Sequence, residues 1–219
     1  MPALTLVIGN KNYSSWSLRP WLAMRQAGIA FDEVHIPLWQ PESAAALAKW
    51  SPSGKVPALH DGDLRVWDSL AICEYLHERF PEQGLWPADA AARAVARSVS
   101  AEMHAGFDAL RQNMVMNIRA RYPGKGRTPE CLADIERIVA IWTDCRARFG
   151  SGGDLLFGRF GIADAMFAPV VLRFQTYGVA LEGAARDYAE AILAVPALQA
   201  WVADAMAETE RIERFDLHE

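Results

Sequence analysis

Cysteine is scarce in this 219-residue sequence, which has only three: Cys73, Cys131 and Cys145. Their number is odd and their spacing irregular, with no CxxC pair and no Cys/His group at zinc-ligand spacing. A disulfide framework is therefore excluded and no bound metal is expected. No apolar run approaches the ~18 residues that a bilayer crossing needs, so no membrane partner is expected. Lys and Arg number 22 against 27 Asp and Glu. No basic block interleaved with aromatics occurs, which argues against nucleic acid. The start, Met1-Pro2-Ala3-Leu4, has neither the basic region nor the cleavage site of a signal peptide. A cytoplasmic protein with reduced thiols is the expectation. There is no internal repeat or low-complexity tract.

What is present is ordinary globular material, 52% hydrophobic and 22% charged, enough for one large domain or two modest ones. Residues 1–80 alternate strand-like and helix-like segments. The apolar run Leu4-Thr5-Leu6-Val7-Ile8-Gly9 predicts a strand, followed by a helix from about Ser17 to Gly28. Phe31–Ile36 alternates as a half-buried strand does, and 42–50 reads as a short helix. Val56–His60 and Leu64–Trp67 flank Asp61-Gly62-Asp63, a hairpin signal. Ser69–Phe80 then reads as an amphipathic helix with Leu70, Cys73, Leu76 and Phe80 on one face, which makes Cys73 a buried, inert thiol. The order β-α-β-α-β-β-α predicts a small mixed sheet covered by helices.

Pro81, Gly84 and Pro87 mark a linker, and the rest reads as helical. Val95, Val99, Met103, Phe107, Leu110, Met114 and Ile118 recur every three or four residues, predicting one helix over 88–121. Further helices are predicted over 129–149, 162–177, 185–194 and 197–208.

Three places carry chemistry. Tyr13-Ser14-Ser15-Trp16-Ser17 sets three hydroxyls where a strand hands over to a helix. A helix N-terminus leaves N–H groups without partners and carries partial positive charge, so it can hold an anion such as a thiolate. The serines equally suit plain capping. Val56-Pro57 sits where a ladder strand begins, a place for a trans proline at an edge or for a cis bond that turns Val56's backbone outward. At Asp68-Ser69 a strand again meets a helix. The pair serves either as a cap or as a site where Ser69 takes a carboxylate and Asp68 an ammonium.

Together, Gly54-Lys55-Val56-Pro57-Ala58-Leu59, Trp67-Asp68-Ser69-Leu70-Ala71-Ile72 and Tyr75-Leu76 resemble the glutathione transferase superfamily. Gly161-Ile162-Ala163-Asp164 with Pro169 resembles its helix-capping motif, with Gly161 in place of the usual Ser or Thr, so that the resemblance spans essentially the whole chain. It implies an α/β plus all-α protein: a thioredoxin-like βαβαββα glutathione-binding domain over 1–81 and an all-helical substrate-pocket domain over 88–219. The serine cluster looks most like that of the zeta class, whose isomerase-site cysteine is replaced here by Trp16.

The resemblance implies that Ser14, or next Ser15, hydrogen-bonds the glutathione sulfur, with Ser17 as helix cap and Tyr13 as a weaker contender. Val56 and Pro57 would meet the cysteinyl unit, Asp68 and Ser69 the γ-glutamyl end, and Lys55, with Gln40 or Lys49, the glycyl carboxylate. A second-substrate pocket would involve His104, Phe107 and Arg111, although Met103, Phe107 and Leu110 equally suit the core. The implied activity is glutathione S-transfer to small electrophiles, with glutathione as co-substrate, no metal, and a homodimeric assembly. Glutathione-dependent cis–trans isomerisation and a non-catalytic binding protein are the alternatives.

Overall fold

The opening apolar run serves two neighbours at once. In the computed structural model, which describes residues 4–216, strand β1 (Leu4–Ile8) pairs in parallel with β2 (Phe31–His35) and antiparallel with β3 (Ala58–Asp61). Met1–Ala3 of the predicted opening and the last three residues of the helical half lie outside the described residues. A two-residue turn at Gly62-Asp63 carries β3 into β4 (Leu64–Trp67), and Gly62 supplies its positive φ of 59°. The strand order is β2-β1-β3-β4, the predicted mixed sheet.

Side chains alternate across β1 and divide the core. Leu4, Leu6 and Ile8 face α1 (Ser15–Gln26) and α3 (Ser69–Arg79), where they join Leu18, Leu22, Ile72 and Leu76. Val7 points the other way, to Ile36, Ala58 and the half-buried Leu47 and Trp50 of α2 (Ser43–Trp50).

After a 3-10 turn at Pro81–Gln83 the chain is helical: α4 (Ala90–Ala105), α5 (Asp108–Asn113), α6 (Pro129–Phe149), α7 (Ile162–Tyr177), α8 (Gly183–Leu193) and α9 (Pro196–Ala207). Among the described residues no single helix is long and apolar enough to cross a membrane. The predicted single helix over 88–121 is two helices. It breaks at Gly106 and Phe107, the latter at φ 62°. The apolar spacing runs on through the break, but Arg111 gathers the carbonyls that α4 leaves open at its end. Its guanidinium donates to Gly106 O at 3.0 Å and also to Met103 O. Past α5, residues 114–128 are irregular, and Met114, Met116 and Ile118 are buried without being helical.

Helix α7 is buried along nearly its whole length and packs against α1, α4 and α8. Its first turn has no side chain at the cap, because residue 161 is glycine. Asp164 compensates: its carboxylate accepts from Gly161 N at 2.9 Å and from Leu156 N at 3.2 Å. Asp164→Ala would strand these two donors in the interior. The expected loss is about 2–4 kcal/mol, read as a lower urea midpoint at unchanged m-value, with Asp164→Asn losing less.

Candidate functional site

Helix α1 starts two residues earlier than its pattern predicts. Ser14, not Ser17, is the N-cap, and its Oγ accepts from Ser17 N at 3.3 Å. Ser17 turns into the protein instead. Its Oγ accepts from Gly9 N at 3.1 Å and lies 2.8 Å from Ser14 Oγ, so the two hydroxyls form a pair. Ser15 is buried on the other side, where its Oγ accepts from the Arg173 guanidinium of α7 at 3.2 Å. Tyr13 is fully engaged. Its hydroxyl donates to Asp216 Oδ1 at 3.1 Å and accepts from Arg119 Nη2 at 3.2 Å.

Two clefts meet at this helix end. The first, of about 460 Å³, is lined by Trp16, Lys55, Val56, Pro57, Asp68 and Ser69, with His104 on its far wall. The Val56–Pro57 bond is cis, and β3 begins only at Ala58, leaving Val56 outside the ladder. Asp68 caps α3, its Oδ1 accepting from Leu70 N at 3.0 Å and Ala71 N at 3.2 Å. Its Oδ2 lies 2.6 Å from His104 Nε2, a bond from the sheet half to α4. Next to it, Ser69 is 1% exposed and its Oγ has no hydrogen-bond partner among the described residues. A buried hydroxyl without a partner costs free energy that a hydrogen bond to a polar group removes.

The second cleft, of about 560 Å³, opens from Ser14 and shares Trp16, Lys55 and Val56 with the first. Its outer part is apolar: Leu38, Leu47, the 61%-exposed Trp39 and, from the chain's last turns, Phe215. Gln40 lies on its rim, whereas Lys49 lines neither cleft. The tail that delivers Phe215 is tied to the loop before the serines. Glu208 accepts from Lys11 N at 2.5 Å and Asn12 N at 2.9 Å, and Asn117 Nδ2 donates to Asp216 at 2.9 Å.

The residues predicted for the second pocket are dispersed. His104 lines the first cleft, Phe107 packs in the core and Arg111 holds the end of α4. Trp16 sits between guanidinium groups, with Arg19 4.3 Å and Arg111 4.7 Å from its ring. Arg19 and Arg173 are buried, and neither forms an ion pair among the described residues. Burial, reinforced by the charge of Arg111, lowers both, and Arg173 is brought down to about 9. Arg173 stays charged near neutrality and, bonded to Ser15 Oγ, reinforces the positive potential of the α1 N-terminus.

No local pattern announces the Asp68–His104 pair, the Arg173–Ser15 bond or the Phe215 wall, because each joins residues distant in sequence. The expectation for Cys73 agrees with its complete burial, which pushes its thiol up to about 12. Cys145 is likewise raised to about 12, and Cys131 is raised in the same direction.

Comparison with known proteins gives two family matches, "Glutathione S-transferase, N-terminal domain" over residues 13–79 and "Glutathione S-transferase, C-terminal domain" over 89–204. Glutathione S-transferase Z2 of Arabidopsis thaliana is 27% identical over 172 residues, 74% of each chain. Maleylacetoacetate isomerase of Pseudomonas aeruginosa is 27% identical over 182 residues, 78% of this chain and 82% of that one. A glutathione transferase homologue from Burkholderia gl BGR1, solved with bound glutathione, superposes with a TM-score of 0.72 at 22% identity. The match covers 94% of this chain and 100% of that one.

With all three thiols buried and raised, none should react with an aromatic disulfide reagent at pH 7.5 in the native protein. All should react once urea unfolds it. A fast-reacting thiol in the folded state would contradict the burial described.

Proposed function

The chain belongs to the glutathione S-transferase family, and from that premise we propose that it is a serine-type transferase using glutathione against apolar, small electrophiles. The observation that carries this reading is the orphaned Ser69 hydroxyl beside Asp68, in a cleft that runs to the positive end of α1. A γ-glutamyl end has a carboxylate for Ser69 Oγ and an ammonium for Asp68. The cysteinyl unit then lies along the backbone of Val56, and Lys55 with Gln40 meets the glycyl carboxylate.

In this reading the sulfur reaches Ser14, which lines the cleft, rather than Ser15, which is turned to Arg173. The Ser14–Ser17 hydroxyl pair can reverse direction. Ser17 then donates to Ser14 Oγ, and Ser14 donates its own proton to sulfur. The N-terminus of α1 and the unpaired charges of Arg19 and Arg173 favour the thiolate over the thiol. The thiolate attacks an electrophile held in the apolar outer cleft, and the leaving group departs to water. By the same reading the protein acts as a cytoplasmic homodimer, a pairing supported by Leu64 and Trp67, both 48% exposed on β4.

A second reading is favoured by the isomerase name of the Pseudomonas relative. There the thiolate would add to a maleyl double bond and leave again. Trp16, which fills the position of the zeta-class cysteine, disfavours it.

Turnover of a chloronitrobenzene set against isomerisation of a maleyl compound separates the two, and no turnover of either with no retention on immobilised glutathione overturns both. Ser14→Ala should lower kcat about 10- to 100-fold with little change in the KM for glutathione, the scale of one hydrogen bond to a charged atom. A comparable loss in Ser15→Ala alone reassigns the role. Ser69→Ala should raise the KM for glutathione about 10-fold while leaving thermal stability equal or higher, because it deletes a hydroxyl that has no hydrogen-bond partner among the described residues.

A further inference from the structure

Asp68 is asked to do three things with two oxygens. Its Oδ1 is committed to Leu70 N and Ala71 N of α3, and its Oδ2 to His104 Nε2 at 2.6 Å. On the reading above, which this inference rests on, the ammonium of glutathione also comes to Asp68. Oδ1 already accepts two N–H groups, so the ammonium must share Oδ2 with the imidazole. A neutral imidazole donating through Nε2–H permits this, since one carboxylate oxygen accepts two donors. An imidazolium does not do so freely, because two cations would then meet at one anionic atom.

Among the described residues, Asp68 is the carboxylate that His104 contacts. Lys55 lines the same cleft. Arg19, from α1, lies against Trp16, whose ring is 5.3 Å from that of His104. Arg111, from α5, donates to the His104 carbonyl at 3.4 Å. On α4 itself, Glu102 is occupied by Arg137, at 2.7 and 2.8 Å. His104 is thus bonded to one carboxylate, with Lys55 in the same cleft and, on its own carbonyl, Arg111, whose charge Asp108 and Asp134 partly offset.

We propose that His104 is a positioning residue for the amino end of glutathione, acting through Asp68, and that binding of that ammonium is coupled to loss of a proton from His104 to solvent. Neutral His104 orients Asp68 across the cleft and tolerates the ammonium; protonated His104 competes with it. By linkage, each cation weakens the other's hold on the carboxylate by the same factor.

The test uses S-methylglutathione, whose sulfur cannot ionise, so that thiol deprotonation adds no pH dependence. Its Kd is measured by calorimetry from pH 5.5 to 8 in buffers of different ionisation enthalpy, for the native protein and for His104→Gln. The same series is run with the counterpart ligand lacking the amino group. The native protein should bind S-methylglutathione about 10-fold more weakly at pH 5.5 than at pH 7.5, an ordinary size for coupling between two ligands. Within this range, binding to the native protein should release protons to the buffer. Both the amino-less ligand and His104→Gln should give flat profiles.

The His104 ring resonances, assigned by their loss in His104→Gln, should titrate at lower pH with the ligand bound, a readout that does not depend on the variant's folding. An unmoved or raised titration overturns the proposal, as does an equal pH dependence in the variant or with the amino-less ligand. Binding without pH dependence sinks this inference alone. Absence of binding at every pH sinks the glutathione reading and this inference with it.

Discussion

Everything at the site depends on where the first turn of α1 is held. The helix is wedged between the sheet and α7, with Leu18, Leu22, Ala23 and Met24 excluded from solvent. Its N-terminus is thereby a fixed point in the molecule. A helix end offers oriented N–H groups and partial positive charge only within its first turn, so a displacement of an ångström or two would remove its influence. Ser14 closes that turn, and Ser17 anchors the closure to the end of β1 through Gly9 N–H. Cap and cleft wall are thus one side chain. A residue that must hold the helix and also face a ligand has little freedom to drift.

The unpaired guanidinium groups beneath this turn run against the usual economy of proteins, which pair or exclude buried charge. Arg19 and Arg173 find carbonyl, hydroxyl and aromatic partners instead: Met166 O for one, Met114 O and Ser15 Oγ for the other, and the face of Trp16 for Arg19. These contacts occupy some of the donors without cancelling charge, and Arg19 Nη1 has no hydrogen-bond partner among the described residues. A field from unneutralised cations at low dielectric reaches farther than one from ion pairs. Trp16 keeps Arg19 and Arg111 apart while being attractive to each.

Much of this was legible in the sequence where the signal is local. The hairpin is written in Gly62, the α3 start in Asp68, and the mixed sheet in alternation and turn residues. Val56, Pro57, Asp68 and Ser69, which line the first cleft, stand at strand and helix ends that also suit an edge proline and a plain cap, and it is the family resemblance that singles them out. What escaped was decided by contacts between distant segments. The apolar spacing through Phe107, Leu110 and Met114 is helical, and the break is held by the guanidinium of Arg111 on the carbonyls behind it and by Asp134 of α6, which accepts from Leu110 N at 2.9 Å. Ser17 looked like a cap because three serines lie together, and a bond to Gly9 across the strand–helix corner chose Ser14. The pairing of His104 with Asp68 spans 36 residues and leaves no periodic trace.

The tie between Glu208 and the backbone of Lys11 and Asn12, with Phe215 laid over the outer cleft, has an evolutionary corollary. The first cleft is drawn almost wholly from the sheet half, whereas the wall of the apolar cleft is borrowed from the far end of the chain. A substitution at residue 215 can reshape what the outer cleft admits without passing through the core or touching the first cleft. Selection can therefore change what the outer cleft admits while the first cleft is kept, a division of labour that lets one scaffold diversify by its tail.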